Sequence, residues 1–189
     1  MGRDPGRTCA VGLIHAFMIR ILGAGLQIAL LAALLAGCGS ESFTEVETTR
    51  SPLFPGFESY ASREEVMPKL SREVEIKLVE ESSLSTGGST PPYRIYTISV
   101  SPYPHLEQPG KLLITFYNNR LLQTAYYPEN IDDYVKTLRR SGVPVESGQQ
   151  LIKGHTMIWI GVDFDNIPYV GWADKRLRDQ QRRWFANYR

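Results

Sequence analysis

Few side chains in this chain of 189 residues combine in a pattern that does chemistry. The thiols are Cys9 and Cys38, and the imidazoles are His15, His105 and His155. A zinc site needs three or four converging nitrogen, sulfur or oxygen ligands. Beyond Cys38 there is no further cysteine and no His-x-x-x-His spacing, so the sequence assigns no metal and no cofactor. His105 lies in a proline-rich turn and His155 at the start of a strand, and both read as surface positions. Asp163-Phe164-Asp165-Asn166 resembles the opening of a calcium loop, but the glycine at its sixth position and the glutamate at its twelfth are missing. Turn chemistry explains it better. The carboxylate pairs Glu64-Glu65, Glu80-Glu81 and Asp132-Asp133 are adjacent, and adjacent side chains on a helix or strand diverge. No Gly-x-Ser-x-Gly elbow, phosphate-cradling glycine loop or dinucleotide fingerprint is present. No residue is assigned a catalytic role.

Cys38 differs because of what precedes it. Residues 21–37 carry no charge and one polar side chain, Gln27, and Arg20 stands just before them. A basic residue, an apolar run from Leu26 to Leu35 and the small pair Ala36-Gly37 are the three parts of an export signal in order. Small residues suit a peptidase that must bind extended backbone beside the scissile bond. Leu35-Ala36-Gly37-Cys38 resembles the lipobox of bacterial lipoproteins. That resemblance implies that 1–37 is cleaved and that Cys38 becomes the lipid-bearing first residue. The family carries two or three acyl chains there, and two or more anchor stably where one does not. In that family an Asp after the Cys holds the protein in the inner membrane. Gly39 stands here instead, which favours the outer membrane, with the body facing the periplasm. An uncleaved span is the competing reading, but no aromatic belt or basic cluster follows Gly37. A start at Met18 would give a leader of more usual length, with 1–17 outside the translated protein.

Charge excludes little and cysteine usage more. Removing Arg3, Arg7, Arg20 and Asp4 with the leader leaves 18 basic and 19 acidic residues, a net −1, which argues for neither nucleic acid nor an acidic substrate. Cys9 falls in the leader, so after cleavage no thiol remains to compete with lipidation of Cys38.

The elements that follow make one domain. Residues 38–61 read as the lipidated N-terminus and a flexible tether rich in Ser, Thr, Glu and Pro, long enough to hold the body a few nanometres from the membrane. Phe54, Phe57 and Tyr60 are its apolar exceptions and are expected to pack on the body. The domain, 62–189, opens with Ser62-Arg63-Glu64-Glu65 in capping-box form, and Pro68 curtails the helix. Strict alternation predicts strands over 74–78 and 93–100, with a loop over 81–92 between them. Residues 111–117 and 120–127 form a hairpin about Asn118-Asn119, with Leu112, Ile114 and Phe116 on one face and Leu122, Thr124 and Tyr126 as their partners. A helix over 131–138 follows, capped by Asn130. Strands over 155–162 and 167–172 then lead into a helix over 174–188. The expected fold is α+β, a single domain with an antiparallel sheet of five or six strands packed by two or three helices.

That last helix holds the one uneven charge. Lys175, Arg176, Arg178, Arg182, Arg183 and Arg189 face only Asp174 and Asp179, with Trp184, Phe185 and Tyr188 interleaved. Arg182, Arg183 and Trp184 are the candidate contacts for a partner or an anionic membrane surface. The competing role is a core-docked helix with a solvated basic face. Nucleic acid is excluded by compartment. The plan of lipid anchor, tether and helix-then-sheet domain is similar to that of small outer-membrane assembly lipoproteins, with no matched motif past Cys38. The function expected is a binding or scaffolding module of the envelope, and the alternative is an enzyme acting on peptidoglycan or another envelope substrate.

Overall fold

In the computed structural model, which describes residues 43–45, 47–70, 72–84 and 90–189, the central unit turns on two asparagines. Asn118 and Asn119 hold φ at 48° and 58°, the left-handed region that asparagine tolerates and a two-residue hairpin turn requires. They join β5 (Gly110–Tyr117) to β6 (Arg120–Pro128). Leu112 lies opposite Tyr126 and Ile114 opposite Thr124, as alternation predicts. Leu122 does not join them. A bulge beside Phe116 sets that ring opposite Leu121 instead, and the extra residue re-aims Leu122 to the other face of the sheet.

The hairpin sits inside a seven-stranded antiparallel sheet of order β3-β4-β5-β6-β9-β8-β7. Its other strands are β3 (Glu75–Leu84), β4 (Tyr93–Ser101), β7 (Gln150–Lys153), β8 (Thr156–Val162) and β9 (Pro168–Asp174). A separate ribbon pairs β1 (Pro52–Phe54) with β2 (Phe57–Glu58). The class is α+β with strands predominant, and the sheet is wider than the five or six strands expected. The additional strand is β7, whose four residues are too few to display an alternation; the turn at Gly154-His155 sets its register against β8. β3 runs on to Leu84, where the sequence predicts a loop from Glu81. Its solvated face of Glu, Lys and Ser hides the pairing with β4.

Among the described residues three helices cover the sheet: α1 (Arg63–Val66), α2 (Ile131–Arg140) and α3 (Lys175–Tyr188). The capping box of α1 is complete, with Ser62 Oγ accepting from the Glu65 amide at 3.3 Å and Glu65 Oε2 accepting from the Ser62 amide at 2.7 Å. Pro68 then passes the chain into a 3-10 turn over Met67–Lys69. Asn130 caps α2 by accepting from the Asp133 amide at 3.1 Å.

Each sheet face has its own core. On one, Leu112, Ile114 and Phe116 pack with Leu53, Phe54, Phe57, Val66, Tyr134, Leu138 and Trp172. On the other, Tyr93, Ile95, Tyr117 and Leu122 pack with Leu177 and Trp184 of α3 and with Phe43 and Tyr60. Phe54, Phe57 and Tyr60 therefore dock on the body as expected. Leu53, Ala61 and Phe43 are buried with them, so residues read as tether supply both cores. Among the described residues no helix is long and apolar enough to cross a membrane.

Candidate functional site

Two arginines far apart in sequence fasten the segment that leads into the body. Arg120 opens β6 directly after the asparagine turn and is 2% exposed. Its Nη1 donates to the Glu45 carbonyl at 2.6 Å and to Gln180 Oε1 at 3.1 Å. Its Nη2 donates to the Phe43 carbonyl, and its Nε to the Tyr117 carbonyl at 3.4 Å. All four acceptors are neutral oxygens. Burial lowers the basicity of Arg120, yet a guanidinium remains charged in any protein. The Tyr117 and Tyr60 rings lie 5.3 and 5.9 Å from its central carbon, so π faces supply negative potential where no carboxylate does.

Arg176, in the first turn of α3, holds the next stretch. Its guanidinium grips Asp174 twice, Nη2 to Oδ2 at 2.7 Å and Nε to Oδ1 at 3.1 Å. Nη2 also donates to the Thr49 carbonyl at 2.9 Å, and Glu47 lies 3.7 Å from Nη1. Burial opposes ionisation of Asp174, but hydrogen bonds from Arg176 and Ser59 outweigh it and hold the carboxyl below its ordinary range. Tyr60 lies 5.0 Å beneath the Arg176 guanidinium, with φ at 62°. Burial, reinforced by the Asp174 charge, pushes its hydroxyl up to about 12. Asn118 completes the clamp by donating to the Phe43 carbonyl at 2.9 Å. The assembly fixes backbone through carbonyls and offers no nucleophile.

A groove opens beside the β1–β2 ribbon, with a volume of about 590 Å³, in the range of small-ligand sites. Leu53, Phe54, Phe57, Ile158 and Trp172 give it an apolar wall, and Val143 closes one side. Lys69 and Lys153 stand at its rim, donating to the Gly56 and Gly142 carbonyls at 3.1 and 2.7 Å. An ammonium has three donors, so each can also meet an acceptor in the groove. The arrangement suits an apolar group carrying a polar or anionic end.

The sequence-derived candidates fall apart from this groove. Cys38 and the lipobox lie outside the described residues. Arg182 and Arg183 are on the exposed face of α3. Trp184, expected beside them as a contact, is fully buried and donates to the Pro91 carbonyl at 2.9 Å; it docks the helix, because position 184 falls on the stripe shared with Leu177. His155 is exposed, as expected. His105 is half-buried rather than a free surface residue. It packs 4.5 Å from the Phe54 ring, and its Nδ1 lies 2.6 Å from Tyr134 Oη. Burial drops its pKa to about 4. Asp163 shapes a turn, its Oδ1 accepting from the Asp165 and Ile167 amides at 3.0 and 2.9 Å. Among the described residues no group of three His, Cys, Asp or Glu could hold a metal.

Sequence reasoning missed the clamp and the groove. The density of large apolar side chains at Leu53, Phe54, Phe57 and Tyr60 is the available signal for both. No family model, curated protein or solved structure matches the chain. The functional reading therefore rests on the residues themselves.

Proposed function

We propose that this is a lipid-anchored lipoprotein of the cell envelope, held by an acylated Cys38 with the outer membrane favoured. Its periplasmic body is a binding or scaffolding module that takes another envelope component in the groove beside β1 and β2. The anchor rests on the Leu35-Ala36-Gly37-Cys38 pattern behind an uncharged run. The observation that carries the module is the groove: apolar walls drawn from β1, β2, β8 and β9, with two lysines at the rim.

Two measurements test the two halves separately. Cys38→Ser should lose metabolic lipid labelling and membrane retention; retention unchanged would overturn the anchor. A photoreactive residue in place of Val143 should crosslink to a discrete envelope component, and one at Glu129 should not. Val143→Trp, which fills the groove, should cut competition by that component at least tenfold. Equal crosslinking from both positions would overturn the module.

A further inference from the structure

The clamp fixes where the body must sit if Cys38 carries the lipid, the reading on which this inference rests. Phe43 is buried at 3% exposure, and its carbonyl is held by Arg120 and Asn118. Five residue steps separate it from Cys38. Fully extended chain gains at most about 3.6 Å per residue, so the anchor lies within roughly 18 Å of Phe43. The Phe43 ring meets Tyr188 edge to face at 5.9 Å, so Phe43 itself lies beside the C-terminal end of α3.

That end of α3 is basic on its outer side. Leu177 and Trp184 define the inward stripe, so helical periodicity turns Lys175, Asp179, Arg182, Arg183, Ala186 and Arg189 outward. Asp179 pairs with both Lys175 at 2.5 Å and Arg182 at 3.9 Å, so one carboxylate faces the four cations Lys175, Arg182, Arg183 and Arg189 and the side keeps a net positive charge. All four are exposed. Tyr188, 36% exposed, adds an amphipathic ring at the same end, the residue type that settles at a membrane–water boundary.

We infer that the outer face of α3 rests on the anionic headgroups of the membrane that holds Cys38. The short reach from Phe43 lets this face come within about one Debye length of the lipid surface, where its charge acts. The membrane partner is thus an anionic lipid surface, and the body lies against it rather than standing off on a tether. Asn118-Asn119 and the C-terminal end of α3 face the bilayer. The opposite end of the central hairpin, Gly110 and Pro128, faces away.

The test uses the acylated full-length mature protein in vesicles, with a spin label at Ala186→Cys or at Glu129→Cys and a nickel-chelating lipid as relaxation agent. Acylation of Cys38 is first read by the mass of the N-terminal peptide; its absence overturns the anchor reading separately. In vesicles with 30% phosphatidylglycerol, the label at 186 should relax several-fold faster than the label at 129. Phosphatidylcholine alone, 0.5 M salt, or Arg182→Glu with Arg183→Glu should remove most of that difference, since each arginine near an anionic surface counts for roughly fivefold in attachment. Circular dichroism confirms that the double variant is folded. Equal relaxation at the two positions would overturn the proposal, as would a difference indifferent to lipid charge and salt.

Discussion

Arg120 Nη1 donates to the Glu45 carbonyl at 2.6 Å across 75 residues of sequence. This bond, with its companion to Phe43, is what makes residues 43–50 structure instead of tether. Replacing Arg120 with Met keeps an apolar stem of similar length but strips the donors from the Phe43 and Glu45 carbonyls. Unpartnered buried carbonyls cost about 1–3 kcal/mol each, and water would enter to meet them. Arg120→Met is therefore expected to lose about 2–4 kcal/mol of stability in urea unfolding. Amides over 43–50 should also exchange faster well below the global transition. Unchanged exchange there would mean that Phe43 docks by its ring alone.

Tyr117 argues the opposite sign. Its ring lies against the same guanidinium at 5.3 Å, but among the described residues its buried hydroxyl makes no hydrogen bond of good geometry, Asn118 contributing only weakly. Burial pushes that hydroxyl up to about 12, so it stays protonated. Tyr117→Phe keeps the π face and removes the stranded polar atom. The expected change is between zero and about 1 kcal/mol of added stability, measured by urea midpoint. A loss above about 1 kcal/mol would reveal a partner for the hydroxyl.

The clamp also shows what the sequence could and could not disclose. Local rules were legible: Asn118-Asn119 demanded a turn, Ser62 and Glu65 a capping box, and 112-114-116 one sheet face. Each depends on neighbours within a few residues. Leu122 faces away from Thr124 because a bulge changes the period without leaving a mark in composition. Arg120 looks like an ordinary charged residue at a hairpin turn. Its burial follows from carbonyls 75 residues away, which no local pattern encodes. Ser and Pro made 39–61 look like linker, while Leu53, Phe54 and Phe57 were already supplying one wall of the groove. Trp184 read as a contact since its neighbours are arginines, but its position on the stripe with Leu177 decided its fate.

His105 makes stability depend on pH over a window of its own. Its pKa falls from 6.5 to about 4 through burial against Phe54 and Tyr126. Between those values the unfolded chain binds the proton and the folded one does not, so stability rises with pH there. The contribution is complete above pH 6.5, declines as pH falls, and is gone by about pH 4. It amounts to at most about 3.4 kcal/mol at 1.36 kcal/mol per unit, less what solvent screening of a half-buried ring removes. Asp174, whose carboxyl is held below its ordinary range, continues the acid loss below about pH 4. Thermal unfolding scans from pH 7 to 4 should slope downward for the parent protein. For His105→Phe the slope from this residue should vanish across that window, and an undiminished slope would assign the proton elsewhere.

The face of the sheet under α3 carries a sharper steric requirement. The Trp159 ring lies flat on Gly171 across the β8–β9 pair, and a Cβ built at Gly171 would come within 2.5 Å of that ring. The guanidinium of Arg178 covers the other face of the indole at 5.1 Å, and its basicity is lowered by burial there. Gly171→Ala must therefore push the ring outward against α3, a change expected to cost about 1–3 kcal/mol as overpacking. Trp159→Leu in the same background removes the obstructing ring and should restore part of that loss. Recovery in the double variant, with Trp159→Leu alone destabilising, is the outcome the contact predicts. Additive losses from the two substitutions would mean that Gly171 is required by its backbone instead of by the indole above it.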